Sequence, residues 1–284
     1  MTAPESAMQS VGDAAVLALG GVGTVSTGDV DGFRRHGHVT VRGLLDTHEA
    51  SHLAQRLAEA TDSRTPRRAS STEGEVYERA FRQYENLWVD DPHARAFTLS
   101  SRLADVARRL LGVDRVRIYH DQALFKMAGG GPTPWHQDKH YWPLDTDRAV
   151  TMWMPLVDVT ADMGELCFAR GSHLDGNLSD QPISSSSDQF FRDLLAGSSY
   201  EIGRTGAMRA GDASFHAAWT LHSATANVTQ TRRDVMTVIW FADGARVTEP
   251  CNEGQRADLA TWLPGLTPGD LAASALNPVV DRPT

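Results

Sequence analysis

The chain holds 11 histidines, and their neighbours separate those placed to bind a metal from the rest. His136-Gln137-Asp138 follows a glycine-rich approach, Gly129-Gly130-Gly131-Pro132. On a strand or strand-turn, side chains at i and i+2 share a face, so this imidazole and carboxylate can point the same way. The triplet alone is a weak signal. With 11 histidines and 36 acidic residues, on the order of one such triplet arises by chance. A second, His173-Leu174-Asp175, reads equally well as a surface turn. A later cluster adds weight: Gly211-Asp212, then His216, then Leu221-His222-Ser223, then Asn227, Thr229 and Arg233. Two imidazoles and one carboxylate make a facial triad, which leaves metal positions open for substrate and O2. His136 and Asp138 supply two donors, and His222 supplies the third from an opposing sheet. His216 is the competing third donor. Arg233 opens the apolar run Asp234 to Trp240, and an inward-pointing arginine requires an anionic partner. A ligand carboxylate matches its fork; a salt bridge to Asp234 is the plainer alternative.

These residues need strands to position them. From Arg115 to Phe241 the chain reads as short strands punctuated by Gly and Pro. The expected strands are Val116–Tyr119, Ala123–Lys126, Val150–Pro155, Glu165–Ala169, Ala213–Phe215 and Asp234–Phe241, a pattern that suggests a sandwich or double-sheet jelly roll. Upstream, His38–Val41 is strand-like. Asp46 or Thr47 caps a helix carrying Ala50, Leu53, Ala54, Leu57 and Ala58, and a second helix spans Ser100–Leu111 with Gly112 as its stop. Residues 61–75 are expected as a polar loop. Residues 176–200, containing Ser184 to Ser187, are expected as a lid loop. Short helices are expected at Ala14–Leu19 and Ala257–Trp262. The expected organisation is an N-terminal arm (1–27), a catalytic domain (28–248) and a C-terminal extension (249–284).

Composition bounds the function. Hydrophobic residues make up 41% and charged residues 22%, so the chain as a whole is globular. Its net charge of −9 lacks the footprint of a nucleic-acid binder, and no basic run favours a membrane surface. No segment approaches the roughly 18 apolar residues of a membrane span. The N-terminus lacks the basic region of a signal peptide. Two cysteines, Cys167 and Cys251, exclude a disulfide framework and a cysteine-rich zinc site, and a cytoplasmic location is expected. No phosphate loop of the Gly-x-x-x-x-Gly-Lys type and no Gly-x-Ser-x-Gly elbow occurs.

Four separated blocks, in order, carry a family resemblance. Trp135-His136-Gln137-Asp138-Lys139-His140-Tyr141-Trp142-Pro143-Leu144 closely resembles the metal-binding segment of phytanoyl-CoA dioxygenase-like enzymes. So do Thr151 to Asp158, then Gly164-Glu165-Leu166 with Gly171-Ser172-His173, then His222-Ser223, Asn227, Thr229 and Arg233. Gly43-Leu44-Leu45 and Asp121 to Lys126 are similar too, so the resemblance spans roughly residues 28–243. It implies a mainly β protein with flanking helices, a double-stranded β-helix of the jelly-roll or cupin-like type. It also implies an oxygenase dependent on Fe(II) and 2-oxoglutarate. By that resemblance His136, Asp138 and His222 hold iron, and Arg233 holds the distal carboxylate of 2-oxoglutarate. Gln122 and Trp153 line the co-substrate pocket, and a further upstream contact falls at Arg82 or Gln83. Ala224 departs from the family serine after the metal histidine, and Arg170 from the proline before Gly171.

The implied reaction consumes O2 and 2-oxoglutarate and releases succinate and CO2. Relatives that halogenate have Gly or Ala in place of the carboxylate ligand. Asp138 fills that position, so hydroxylation is expected ahead of cyclisation, epoxidation or desaturation. The expected substrate is a small specialised metabolite, because apart from Arg64, Arg67 and Arg68 no basic cluster meets coenzyme A phosphates. The expected assembly is a monomer or homodimer. Two alternatives stand: a cupin-like metal enzyme that does not use 2-oxoglutarate, and a non-catalytic binding protein on the same fold. His140 and Tyr141 are expected near the substrate mouth and His173 as a structural cap. His120 faces either pocket or core, Lys126 is expected to snorkel, and Trp135, Trp142 and Trp219 are expected to pack.

Overall fold

The structure, a computed structural model, describes residues 16, 17, 19, 21, 24–62, 64–66 and 81–281. The larger sheet is formed by β1 (His38–Val41), β2 (Arg82–Glu85), β3 (Val116–Lys126), β5 (Ala149–Pro155), β8 (Ala213–Ala217), β10 (Arg233–Ala242) and β11 (Val279–Val280). Its order is β1-β8-β5-β10-β3-β11, with β2 also on β3. The smaller sheet is formed by β4 (Thr133–His136), β9 (His222–Ala224), β6 (Leu166–Ala169) and β7 (Ile202–Arg204), in that order. All pairings are antiparallel. Two facing antiparallel sheets with flanking helices are the expected jelly roll.

Helices cover the outer face of the larger sheet. They are α1 (Thr27–His36), α2 (Thr47–Asp62), α3 (Leu87–Asp90), α4 (Pro92–Thr98) and α5 (Ser101–Leu111). On α5 the spacing of Leu103, Val106, Ala107 and Leu110 puts one apolar stripe against β3, β5 and β10. Ser100 caps its start through Leu103 N, and Gly112 ends it at φ 65°. β10 is buried along nearly its whole length because one face meets these helices and the other faces the interior between the sheets.

Three expectations are corrected. The runs Val116–Tyr119 and Ala123–Lys126 are one strand, β3. The polar His120 and Gln122 that interrupt its pattern face an internal cavity rather than a turn. The serine-rich segment is not a loop throughout: Ser184 and Ser187 form a capping box that starts α6 (Ser185–Ala196), so loop remains at 176–184. The polar stretch 61–75 begins within α2, which runs to Asp62; residues 63 and 67–75 lie outside the described residues, as do Ala14, Ala15 and Ala18 of the expected N-terminal helix.

Described residues near both ends pack on the barrel. Leu19 and Phe33 join the main core, and Ser100 Oγ donates to Leu19 O at 2.6 Å. α7 (Glu253–Trp262) starts earlier than expected, because Asn252 caps Gln255 N. Its Trp262 joins Tyr119, Trp142 and Phe241 in a second core, while β11 extends the sheet at β3. Among the described residues no helix is long and apolar enough to cross a membrane.

Candidate active site

Strand register brings distant residues into rows across the larger sheet. One row is His120, Ile239, Thr151, His216 and His38. The next is Gln122, Thr237, Trp153 and Ser214. Side chains two apart on each strand share a face, so His120 and Gln122, Thr151 and Trp153, and Thr237 and Ile239 all line one cavity of about 680 Å³. The smaller sheet closes it with His136, His222 and Ala224.

His136 ends β4 and His222 begins β9, and the two are register partners. Asp138 starts a 3-10 turn just after β4. His136, Asp138 and His222 form the one cluster among the described residues whose ligand atoms all lie within 4.8 Å of one another. His136 Nδ1 lies 2.8 Å from Pro134 O, and His222 Nδ1 lies 2.9 Å from Thr220 O. Each Nδ1–H therefore donates to a carbonyl, which leaves the lone pair on each Nε2. Those Nε2 atoms lie 3.6 and 3.7 Å from Asp138 Oδ1. This donor set, two neutral imidazoles and a carboxylate oxygen, fits a divalent first-row metal.

Electrostatics point the same way. Burial pushes the Asp138 carboxyl up, but the surrounding imidazoles of His222, His216 and His136 outweigh it and hold the group below the usual carboxylate range. Burial lowers His136, and burial with its histidine neighbours lowers His222 further, so both stay unprotonated and able to ligate.

Arg233 is 1% exposed and lines the same cavity as this cluster. Its guanidinium lies 5.0 Å over the Trp153 ring, and its Nη1 donates to Gly164 O at 2.5 Å. Burial lowers its pKa to about 9, which still leaves it charged at neutral pH. The salt bridge to Asp234 is not formed, because Arg232 takes that carboxylate with two bonds of 2.6 Å. Gln122 and Trp153 line the cavity beside Arg233, and Thr237 Oγ1 donates toward Gln122. Of the upstream pair, Gln83 lines the cavity and is buried, while Arg82 is exposed. His120 faces the cavity, and its ring lies tilted against Trp262 with centroids 4.7 Å apart.

Several residues serve the frame. His173 lies 3.1 Å from Arg34 O as a cap. Trp135 packs with Phe191 and Leu221, Trp219 donates to Asp147, and Trp142 both packs and lines the cavity. Tyr141 lines the cavity and accepts from Ile183 N at 2.8 Å, while His140 borders a small adjoining pocket beside His136. Lys126 does not snorkel: it is 0% exposed, and its Nζ donates to Gly131 O and Thr225 O.

Sequence reasoning missed Thr151, Thr237 and Gln137, and gave His216 no role other than that of the less favoured third donor. His216 is not a third ligand beside His136 and Asp138, because its Nε2 donates to Asp138 Oδ2 at 3.1 Å. Gln137 holds the 176–178 segment through Gly176 O and Leu178 N. Their partners lie far away in sequence, so no local spacing marks them.

Comparison with known proteins places this geometry. A curated relative is a probable alpha-ketoglutarate-dependent hypophosphite dioxygenase of Stutzerimonas stutzeri, 28% identical over 90 residues. That match covers 30% of this chain and 31% of the relative's length. Among solved structures, the non-heme alpha-ketoglutarate-dependent carbocyclase SnoK from nogalamycin biosynthesis superposes with a TM-score of 0.76 at 24% identity, covering 92% of this chain and 100% of that one. The epimerase SnoN, in complex with Fe3+, alpha ketoglutarate and nogalamycin RO, superposes at 0.71 with 27% identity, covering 89% and 97%. EctD from S. alaskensis, with 2-oxoglutarate and 5-hydroxyectoine, superposes at 0.66 with 22% identity, covering 80% and 79%. The family model "Phytanoyl-CoA dioxygenase (PhyH)" matches residues 33–235, which include the whole histidine–aspartate cluster and Arg233, and the chain belongs to that family.

Proposed function

We propose that this protein is a non-haem Fe(II)- and 2-oxoglutarate-dependent oxygenase that hydroxylates a small organic molecule. The observation that carries it is the pairing, in one cavity, of the His136–Asp138–His222 cluster with a buried arginine that has no ion-pair partner among the described residues. His136, Asp138 and His222 hold the metal through two Nε2 atoms and one carboxylate oxygen. Bound there with 2-oxoglutarate, iron supplies O2-dependent oxidation of a C–H bond, with release of succinate and CO2.

The chain's own residues do the positioning. Arg233 takes the distal carboxylate of 2-oxoglutarate, and the Trp153 ring beneath the guanidinium fixes its plane. Gln122 and Thr237 offer polar contacts between Arg233 and the metal. Ala224 offers no hydroxyl there, so Arg233 carries the anchoring alone on that side. Asp138 occupies the position a halide would need, which favours oxygen transfer.

The rest of the cavity takes the substrate. Tyr141, Trp142, Ile239 and Trp262 give it an apolar wall, and Glu253 and Asp258 add acids. Arg233 is the single cationic lining residue among the described ones, which disfavours coenzyme A phosphates. Together with the nogalamycin-bound relative, this supports a ring-bearing specialised metabolite as substrate.

Anaerobic equilibrium dialysis tests the reading. Wild type is expected to bind one equivalent of Fe(II), and 2-oxoglutarate only once metal is present; His136→Ala/His222→Ala, which leaves a single donor, should bind neither. Tight metal binding with no affinity for 2-oxoglutarate would favour the cupin-like alternative.

A further inference from the structure

His216 is buried, lies beside the metal cluster and contributes no donor atom to it. It sits on β8 directly opposite Thr151 on β5. Both side chains reach across to Asp138, which belongs to the turn after β4 in the other sheet. Thr151 Oγ1 donates to Asp138 Oδ2 at 2.7 Å, and His216 Nε2 lies 3.1 Å from the same oxygen. A carboxylate is acceptor-only, so His216 is the donor and carries its proton on Nε2. Its Nδ1 is buried without a partner among the described residues. The other carboxylate oxygen, Oδ1, is the one facing His136 Nε2 and His222 Nε2.

We infer that Thr151 and His216 form a clamp that reserves Oδ2 of Asp138 and forces the carboxylate to bind metal through Oδ1 alone. The inference rests on the metal-binding reading above. A carboxylate oxygen has two lone-pair sites, and here both are taken by donors on the larger sheet. Chelation by both oxygens would break two buried hydrogen bonds, one of them leaving an imidazole N–H unpaired. The clamp therefore limits the protein to three donor atoms and keeps the opposite face clear for 2-oxoglutarate and O2. It also stops His216 from becoming a fourth ligand, since its proton-bearing nitrogen is the one that faces the site. His216 and Thr151 are positioning residues: they act on the metal site through Asp138. Because each sheet contributes one side of the contact, the clamp also fixes the spacing between Asp138 and the larger sheet.

The test uses the full chain loaded with Co(II), whose ligand-field bands report coordination number without any turnover. Four proteins are compared: wild type, Thr151→Val/His216→Phe, Thr151→Ser/His216→Gln and His222→Ala, with thermal unfolding as a control for folding. The Val/Phe variant should bind Co(II) about 10–100-fold more weakly and show shifted bands, while the Ser/Gln variant, which keeps both donors, should stay close to wild type. Thr151→Val alone replaces the double variant if the latter does not fold, with a smaller shift in the same direction expected. A Val/Phe or Thr151→Val variant with wild-type affinity and spectrum overturns the clamp. Wild type that binds no Co(II), or His222→Ala that binds as tightly as wild type, overturns the metal site and the clamp together.

Discussion

Lys126 on β3 and Arg233 on β10 face each other as direct partners across adjacent antiparallel strands, and both are almost wholly buried. Like charges directly opposite one another destabilise a sheet, and buried unpaired charge costs more. Burial and the neighbouring Arg233 lower Lys126 to about 7, and backbone carbonyls rather than carboxylates solvate both groups. Of the two only Arg233 lines the cavity, and on the proposed function a ligand carboxylate entering there would recover part of the cost that falls on the unliganded fold.

Arg233→Met should separate those two effects. Loss of a charge-assisted, two-pronged hydrogen bond should weaken 2-oxoglutarate binding by about 10–100-fold. Fe(II) affinity should not change. Stability of the unliganded protein should hold or rise, because removing a buried cation in favour of an apolar side chain is commonly neutral or stabilising. Calorimetric titration and thermal unfolding check both; undiminished 2-oxoglutarate affinity would contradict the anchor.

Gly164 lets the two cations sit where they do. Its φ is +89°, and a Cβ there would lie 2.8 Å from Arg233 Nη1, 2.9 Å from Lys126 Cδ and 3.0 Å from the backbone oxygen of Thr225. Gly164→Ala should therefore destabilise the fold by about 1–3 kcal/mol and displace Arg233. Its 2-oxoglutarate affinity should fall while metal binding persists. Equal loss of both would place Gly164 outside the anion pocket.

The 176–184 segment is held down by Gln137 and Tyr141. Gln137 donates to Gly176 O at 2.8 Å and Trp219 O at 2.6 Å and accepts from Leu178 N at 2.8 Å. Gln137→Ala leaves these part-buried backbone groups without their side-chain partner and should cost about 1 kcal/mol. Hydrogen exchange should rise at 176–184 and not in the sheet strands. Unchanged exchange there would mean that the segment holds itself.

His38 predicts a pH dependence of stability. Burial first, then Arg170, His216, His36 and His173, lowers its pKa from 6.5 to about 4. The ring stacks on Phe168 at 4.2 Å, and its Nε2 is buried without a partner among the described residues. The folded state refuses a proton that the unfolded chain accepts near pH 6.5, so this contribution is complete above that pH and is lost as pH falls toward 4. His38→Phe keeps the stack and removes the titration. Between pH 7 and 5 it should lose about 2 kcal/mol less stability than wild type. Parallel losses in unfolding free energy would contradict this account of His38.

The sequence was most legible where the chemistry is local. His136 and Asp138 are two residues apart, and the order of the blocks around His222 and Arg233 is linear information. What stayed hidden depends on register. The offset to Arg233 favours His222 over His216, but only the pairing of β8 with β5 shows what His216 does instead: its Nε2 donates to Asp138 Oδ2, while His222 Nε2 faces Oδ1. Thr151 and Thr237 look like ordinary strand threonines until their rows are assembled. β3 read as two strands because polar residues that line the cavity break an apolar alternation. Ser184 to Ser187 read as a loop because serine serves both turns and helix caps. The serine-rich composition could not show which, but the capping box decides it.

The most direct measurement is an anaerobic titration of Fe(II) and then 2-oxoglutarate into metal-free protein, followed by visible absorption. Wild type should develop the charge-transfer band of the metal–2-oxoglutarate chelate at one equivalent of each. His222→Ala should develop none, and Arg233→Met should need far more 2-oxoglutarate to reach the same band. A wild-type protein that binds its equivalent of iron and shows no band at any 2-oxoglutarate concentration would contradict the assignment.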